Sequence, residues 1–275
     1  MSAYDVLLCD VWGVVHDGHV AFNEATAALT AFRDQGGTVI LVSNAPVPQA
    51  RVETMLDQRK VPRTAWDAIV TSGDIALTHM ANRGFKKVYG IGPRDRDAAF
   101  FAASPSEFTS LETAEAIVCT GLDDDVNETA EDYRGILEQA IARTLPFVCA
   151  NPDLVVDVGG RHYWCAGAIA DLYAHMGGEV YWAGKPGVSA YGTAHAVAEK
   201  LRGTPVDRSR VLAIGDAIRT DLAAARNFGV DAIFVASGIH HHEAIEGGQL
   251  SQDKLEKLFQ PGTPSAIAAM TGLRW

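Results

Sequence analysis

The chain has 275 residues, a length that suits one hydrophobic core with an inserted module better than two full domains. Its 48% hydrophobic content argues against disorder, and its net charge of −11 argues against nucleic acid as a partner, because phosphate backbones need a basic face. No run approaches the roughly 20 apolar residues that cross a bilayer. The first stretch, MSAYDVLLCD, lacks the basic region of a secretory signal, so we expect a cytoplasmic protein without a membrane partner.

Short apolar runs alternate with helical patterns along the chain. The predicted strands are 5–10, 38–43, 68–72, 87–92, 116–121, 146–151, 179–184, 210–216 and 231–237, and the predicted helices are 23–35, 129–143, 189–201 and 221–228. Several strands are apolar throughout, as parallel strands covered on both faces are. This alternation predicts an α/β fold with a parallel sheet and right-handed crossovers. In the tail, the run SAIAAM (265–270) is expected to be helical and to pack on the body.

Four cysteines are scattered through the sequence and form no CxxC pair: Cys9, Cys119, Cys149 and Cys165. Such spacing gives little support to a zinc site or a disulfide framework. We therefore predict buried free thiols, as expected in a reducing compartment.

Polar side chains follow several of the predicted strands. Asp10 ends the first, Ser43 ends the second, Lys185 stands between Gly184 and Pro186, and Asp216 follows a later strand with Asp221 close behind. Ligands of doubly wound sheets bind outside the carboxyl ends of the strands, so these groups are expected to converge. Taken singly, each has an ordinary explanation as a turn residue, a helix-start acid or a solvated lysine.

Converging carboxylates repel one another unless a cation offsets their charge. Mg²⁺ is such a cation, because it is hard and prefers oxygen ligands. A lysine and a hydroxyl at the same edge suit an anion with several oxygens, such as a phosphoryl group. The residue types therefore favour phosphoryl chemistry assisted by a metal.

Four segments resemble, in order and spacing, the motifs of the haloacid dehalogenase superfamily of phosphohydrolases: DVWGVV (10–15), LVSNAP (41–46), GKPGVSAY (184–191) and GDAIRTDLAAARNFGVD (215–231). The stretches TSGD (71–74) and NPDLVV (151–156) are similar to the class IIA branch, which includes nitrophenylphosphatase-like and phosphoglycolate-phosphatase-like enzymes. In that branch an α/β cap is inserted between the second and third motifs. The resemblance therefore implies a Rossmann-like core in residues 1–80 and 183–275, with a cap in 81–182.

The resemblance implies a role for each matching residue. Asp10 is expected to be the nucleophile that forms an aspartyl-phosphate. Hydrogen bonds to the phosphoryl oxygens are expected from Ser43 and Asn44, and neutralisation of charge from Lys185. The implied ligands of Mg²⁺ are Asp10, the backbone carbonyl of Trp12, Asp216 and Asp221. The implied partner is a small phosphorylated metabolite, and pairing through the caps makes a homodimer a further expectation.

Trp12 departs from the pattern, because most phosphatases of this superfamily carry a second Asp at this position. That Asp protonates the leaving oxygen and then activates water, and an indole can do neither. General acid–base help is worth about 10²–10⁴-fold. A first hypothesis is a phosphatase in which His16, or else Asp17, is the substitute. The ordinary alternative is that both are polar residues of a turn.

Two further hypotheses follow from Trp12. In the second hypothesis, the substrate has a good leaving group and needs no acid. In the third, the protein does not hydrolyse its ligand, and either binds a phosphorylated compound or transfers the phosphoryl group to another acceptor. A dehalogenase or a phosphonate-cleaving enzyme is not favoured by a class IIA cap.

The segment 151–173 is the candidate substrate-binding part of the cap. Arg161 is the candidate substrate-binding residue. The adjacent aromatic residues either line an opening to the substrate or pack inside the cap. Cys165-Ala166-Gly167 is expected to begin a helix. Elsewhere, HHHE (240–243) is expected to be a polar loop, and DDD (123–125) a solvated turn.

Overall fold

The computed structural model describes residues 3–158 and 161–275. The chain divides into two compact units. The core unit comprises Met1–Ser43, Glu53–Val70 and Lys185–Trp275, and the inserted unit comprises Asn44–Val52 and Thr71–Gly184. The cap boundaries expected from the sequence, 80/81 and 182/183, stay predictions.

The strands lie close to their expected positions. They are, in chain order, β1 (Val6–Cys9), β2 (Thr38–Ser43), β3 (Ala68–Thr71), β4 (Lys87–Ile91), β5 (Glu107–Phe108), β6 (Ala116–Cys119), β7 (Phe147–Cys149), β8 (Val155–Val158), β9 (Arg161–Trp164), β10 (Val180–Trp182), β11 (Val211–Gly215), β12 (Asp231–Val235), β13 (Ile245–Glu246), β14 (Gln249–Leu250) and β15 (Ala268–Met270). Each predicted strand is present with ends displaced by two residues at most.

The α-helices are α1 (Asn23–Asp34), α2 (Gln49–Gln58), α3 (Ser72–Arg83), α4 (Ala98–Ala103), α5 (Arg134–Ala142), α6 (Ala166–His175), α7 (Val188–Arg202), α8 (Ala223–Phe228), α9 (His241–Ala244) and α10 (Gln252–Leu258). Each of the four predicted helices is present, and α6 begins where it was expected. None of the helices in the described residues combines the length and the apolar character that crossing a membrane requires.

The core unit is built on a six-stranded sheet with the order β15-β12-β11-β1-β2-β3. β1 pairs in parallel with β11 on one side and β2 on the other. Every residue of these three strands is buried, which accounts for their continuous apolar sequence. The helices α1 and α7 contact this sheet. Two strands that are distant in sequence, β1 and β11, therefore end side by side.

The tail corrects one expectation, because residues 268–270 form the strand β15 and not a helix. β15 pairs in parallel with β12. The free edge of β12 offers unpaired backbone groups, and a short apolar segment gains more hydrogen bonds there than in a single helical turn. The stretch 240–243 likewise differs from the expected loop, since most of it lies in the short helix α9. The buried Ala244 anchors this helix.

The inserted unit has its own five-stranded sheet, with the order β10-β7-β6-β4-β5. Its core packs side chains of the sheet against α5 and α6, with Phe147 and Tyr173 buried at the centre. A capping box between Thr129 and Asp132 precedes α5. The antiparallel hairpin of β8 and β9 was not predicted. Parallel sheets with flanking helices in both units confirm the α/β fold class.

The cysteines match their expectation. All four are free and buried, one at the end of β1 and three in the inserted unit. Burial raises the pKa of the Cys9 thiol well above its usual value, which keeps this thiol protonated and inert.

Leu8 lies fully buried in the central strand β1, whereas Leu201 is 54% exposed on α7. We expect Leu8→Ala to lower the free energy of unfolding by about 2–5 kcal/mol, because it leaves a cavity in a close-packed core. Leu201→Ala should change it by less than about 0.5 kcal/mol. Urea denaturation of both variants checks this, and equal losses would contradict the assigned position of β1.

Candidate active site

The topology of the core unit brings carboxylates from distant parts of the chain to one edge of the sheet. Cys9 pairs with Ile214, and the backbone N–H of Asp10 donates to the Ile214 carbonyl at 2.8 Å. Asp10 and Asp216 therefore leave β1 and β11 side by side. Ser43 is the last residue of β2, the other neighbour of β1. The expected convergence at the carboxyl ends of the strands is met for these groups.

Lys185 joins two of the carboxylates. Its Nζ donates to Asp10 Oδ1 at 2.5 Å and to Asp221 Oδ1 at 2.7 Å. The three acids Asp10, Asp216 and Asp221 each offer an oxygen within 4.8 Å of the others. All four side chains are buried, with residue exposures of 1–8%. Charged groups packed this closely in a buried site are stable only if their opposite charges compensate one another.

The pKa shifts express the same balance. Burial alone would lower the pKa of Lys185, but Asp10 and Asp221 outweigh it, and the pKa lies well above the usual value. Burial, with Asp10 and Asp221, raises the pKa of Asp216 well above its usual value. Ionised, the three carboxylates and one ammonium leave two negative charges without compensation. A divalent cation fits both this charge and the all-oxygen donor set.

Asp221 is held at this position by the backbone on both sides of it. Residues Ile218–Leu222 form one wide π-helical turn before α8, a feature common at functional sites. The backbone N–H of Ala217 donates to Asp221 Oδ2 at 3.1 Å. A Cβ at Gly215 would lie 2.1 Å from the Asp221 Cγ. The glycine before Asp216 is therefore required by the packing of Asp221.

The loop after β12 holds Asp216, a role that the sequence analysis did not predict. The backbone N–H of Ile239 donates to Asp216 Oδ2 at 2.7 Å. Ser237 Oγ donates to the Gly13 carbonyl at 2.6 Å and so joins this loop to the loop after β1. A Cβ would lie 2.3 Å from Asp216 Oδ2 at Gly13 and 1.6 Å from it at Gly238. The sequence signal for this contact is two glycines that are distant in the chain, Gly13 after Trp12 and Gly238 in the loop after β12.

Trp12 lies in the loop after β1, half-buried, with its ring against Gly18 and edge-on to His16 at 5.2 Å between ring centroids. A Cβ at Gly18 would lie 2.6 Å from the indole, so only glycine accommodates this ring. The Gly18 carbonyl accepts from Arg59 Nε at 2.8 Å. The indole is therefore packed into the loop.

The two candidate substitutes for an acid both take part in holding this loop. His16 is 2% exposed, and its Nδ1 accepts the backbone N–H of Gly18 at 2.9 Å. Burial, with the charge of Arg59, lowers the pKa of His16 to about 4. The exposed Asp17 accepts the backbone N–H groups of His19 and Val20 through Oδ1, each at 2.8 Å. Their catalytic roles stay predictions.

Asn44 and Arg161 belong to the inserted unit. Asn44 Nδ2 donates to Asp153 Oδ1 at 2.9 Å, which ties the SNAP segment to the NPD segment. A Cβ at Gly184 would lie 2.3 Å from Asn44 Oδ1. Arg161 is exposed on β9, with its guanidinium 5.0 Å from the centre of the Tyr163 ring. The roles of Ser43, Asn44 and Arg161 toward a ligand stay predictions.

Gly238→Ala should weaken Mg²⁺ binding by roughly 10–100-fold, because the new methyl group must displace the Asp216 carboxylate. Gly272→Ala is the matched control, since a Cβ there meets nothing within 4 Å. Isothermal titration calorimetry with Mg²⁺ checks both variants. An unchanged affinity in Gly238→Ala would contradict the role of Asp216 as a ligand.

His16 should make stability fall with acid. Because its folded pKa of about 4 lies below the unfolded value of about 6.5, the unfolded state binds more protons between these limits. The stability contribution is present above pH 6.5 and is lost as the pH falls toward 4, up to about 2 kcal/mol between pH 7 and pH 5.

His16→Asn should remove this dependence, since the Asn oxygen can still accept the Gly18 N–H but does not titrate. Urea denaturation of wild type and variant at pH 7 and pH 5 measures the difference. Equal pH dependence in the two proteins would contradict a neutral, buried His16.

Comparison with known proteins gives the site its context. The haloacid dehalogenase-like hydrolase family model matches residues 7–103, and a HAD-hydrolase-like model matches residues 182–257. The ribonucleotide monophosphatase NagD of Escherichia coli K12 is 23% identical over 252 residues, which cover 87% of this chain and 90% of NagD.

Solved structures extend the match over the whole chain. A hydrolase of the haloacid dehalogenase-like family from Brucella suis 1330 has a TM-score of 0.86 and is 40% identical, with coverage of 99% of this chain and 96% of that chain. A glycerol phosphate phosphatase from Mycobacterium tuberculosis, in complex with calcium, has a TM-score of 0.70 at 19% identity, with coverage of 98% and 72%, and shares the fold.

These matches confirm the predicted resemblance, including the class IIA branch, and the expected enzyme class, a hydrolase of the phosphatase type. The motifs of the sequence, the paired α/β units and the acidic cluster agree with them. The chain belongs to the haloacid dehalogenase-like hydrolase family.

Proposed function

We propose that the protein is a Mg²⁺-dependent phosphomonoesterase that hydrolyses a small phosphorylated metabolite through an aspartyl-phosphate on Asp10. The observation that carries the proposal is the buried cluster in which Lys185 bridges Asp10 and Asp221 beside Asp216. Its two uncompensated negative charges call for a divalent cation. Among the metals of phosphoryl transfer, Mg²⁺ is the one that carboxylate oxygens most often hold.

The metal ligands proposed are Asp10, the backbone carbonyl of Trp12, Asp216 and Asp221. When bound, the cation would offset the repulsion between carboxylate and phosphoryl oxygens and stabilise charge in the transition state. The loop after β12 orients Asp216 for this purpose through the Ile239 N–H. Lys185 supplies the remaining positive charge, and its two hydrogen bonds hold the Asp10 carboxylate in one orientation.

The reaction has two displacements. In the first, an Asp10 oxygen bonds to phosphorus, and the leaving oxygen departs with the electron pair of its bond to phosphorus. In the second, water adds to phosphorus and the Asp10–phosphorus bond breaks, which returns the carboxylate and leaves both water protons on dihydrogen phosphate. Ser43 and Asn44 donate hydrogen bonds to the phosphoryl oxygens, and Arg161 binds a distal anionic part of the substrate.

The relatives support a small phosphorylated substrate, since one is named a ribonucleotide monophosphatase and another a glycerol phosphate phosphatase. Residue exposures of 1–8% in the cluster suit a substrate that presents a terminal phosphate. A homodimer and a cytoplasmic location stay predictions.

Phosphate release from 4-nitrophenyl phosphate, with Mg²⁺ and with a chelator, tests the proposal. We expect Mg²⁺-dependent release in the wild type and a loss of at least about 10³-fold in Asp10→Asn, because the amide cannot act as the nucleophile. Asp34→Asn, on the exposed surface of α1, is the control for the same chemical change and should keep full activity.

The other outcomes separate the alternatives. Binding of phosphate without release would favour a non-catalytic phospho-ligand protein, and release only with an added alcohol acceptor would favour a phosphotransferase. A fall of 100-fold or more in the kcat of His16→Asn would support His16 as the acid or base.

A further inference from the structure

The leaving group of the substrate is constrained by the ionisable groups of the core unit. When the bond between phosphorus and the leaving oxygen breaks, an alcohol leaves as a strongly basic alkoxide unless an acid protonates it. A phenol, with a pKa of about 10, or a carboxylic acid, with a pKa of about 4, can leave as the anion. The groups around Asp10 therefore decide which phosphate esters react.

The cluster itself has no proton donor suited to this step. The ammonium of Lys185 donates to Asp10 and to Asp221, so two of its three protons are held in hydrogen bonds to carboxylates. Asp221 accepts from Lys185 through one oxygen and from the Ala217 N–H through the other. Asp216 accepts from the Ile239 N–H. In each of these contacts the carboxyl oxygens accept a hydrogen bond and do not donate one.

The polar side chains of the loop after β1 form hydrogen bonds with the backbone of the same loop. The Nδ1 atom of His16 accepts a backbone N–H, which an imidazolium cannot do because both of its nitrogens donate. The Asp17 carboxylate accepts two backbone N–H groups and belongs to an exposed turn. To act as an acid, His16 would have to break the hydrogen bond that it accepts from Gly18, and the exposed Asp17 would have to carry a proton near pH 7, far above the usual pKa of an aspartate.

Trp12 lies two residues after Asp10 in this loop and has a side chain that does not titrate. Its ring is anchored against Gly18, which Arg59 holds through the carbonyl. The half-buried indole offers an apolar surface and no ionisable proton. Within the described residues of the core unit, the loop after β1 thus combines the nucleophile with no general acid.

We propose that the substrate is a phosphorylated compound whose leaving group departs as an unprotonated, stabilised anion, namely an acyl, enol or aryl phosphate, and that alkyl phosphates are poor substrates. This inference rests on the proposed phosphatase function. Trp12 sets the preference, because the position two residues after the nucleophile carries an indole that has no ionisable proton. Atoms balance as in the two displacements above, with the leaving group released as the carboxylate, enolate or phenolate.

The test is the dependence of kcat/KM on the pKa of the leaving group, measured at pH 7 with saturating Mg²⁺. The probes are substituted phenyl phosphates, with glycerol phosphate as the alkyl case and acetyl phosphate as the acyl case. We expect kcat/KM to fall about fivefold or more for each pKa unit of the leaving phenol, because no acid assists its departure. Comparing kcat/KM for acetyl phosphate with kcat/KM for the phenyl phosphates shows whether the enzyme prefers acyl phosphates over aryl or enol phosphates.

Two variants at one position sharpen the test. Trp12→Asp introduces a carboxyl group and should reduce the dependence to less than about twofold per pKa unit, with a gain for the poorest leaving groups. Trp12→Asn removes the indole without adding an acid and should keep the steep dependence. Circular dichroism and Mg²⁺ affinity establish that both variants are folded.

A shallow dependence in the wild type, or a folded Trp12→Asp variant with the wild-type dependence, would overturn the inference. Failure of the proposed function is a different result, since no Asp10-dependent release would then occur from any probe. Release from every probe at similar rates leaves the phosphatase intact and removes only the leaving-group preference.

Discussion

The buried ammonium of Lys185 is the interaction on which the site depends. Two carboxylates at 2.5 and 2.7 Å from one Nζ could not remain ionised out of water without it, and it could not remain charged without them. One lysine compensates only one of the three acids, and burial beside Asp10 and Asp221 raises the pKa of Asp216. This excess of negative charge fits the divalent cation that we propose for the cluster.

The backbone topology of the core unit brings the residues of this cluster together. Pairing of β1 with β11 joins residues about 200 positions apart, and each strand delivers its acid at the end that faces the same way. Glycines leave room for these acids where a Cβ atom would clash. Gly215 leaves room for the Asp221 carboxyl group, and Gly13 and Gly238 leave room for that of Asp216. Much of the apparent motif is thus a packing requirement of the acids and not a set of contacts to a ligand.

The loop after β1 presents the candidate nucleophile, Asp10, but carries a side chain without an ionisable proton at Trp12. Its backbone keeps the turn that presents Asp10, while the side chain two residues later is an indole that packs on Gly18. His16 and Asp17 look like substitutes for an acid in the sequence, yet His16 Nδ1 and Asp17 Oδ1 accept backbone N–H groups of their own turn. The loop therefore combines the turn after β1 with a residue that does not titrate.

The sequence by itself determined the strands, the strand-end acids and the family, because buried parallel strands are continuously apolar and polar residues at their ends stand out against them. It missed the antiparallel pair of β8 and β9, because β8 is only half-buried and β9 is mostly exposed, so neither is apolar throughout. It took residues 265–270 for a helix, because a short apolar run carries no period to distinguish a helix from a strand. Only the tertiary structure decided that Lys185 bridges Asp10 and Asp221, that the loop after β12 holds Asp216, and that His16 accepts a backbone N–H. These contacts join residues through folded loops and a crossover, and hydrogen-bond partners of that kind leave no pattern in the chain.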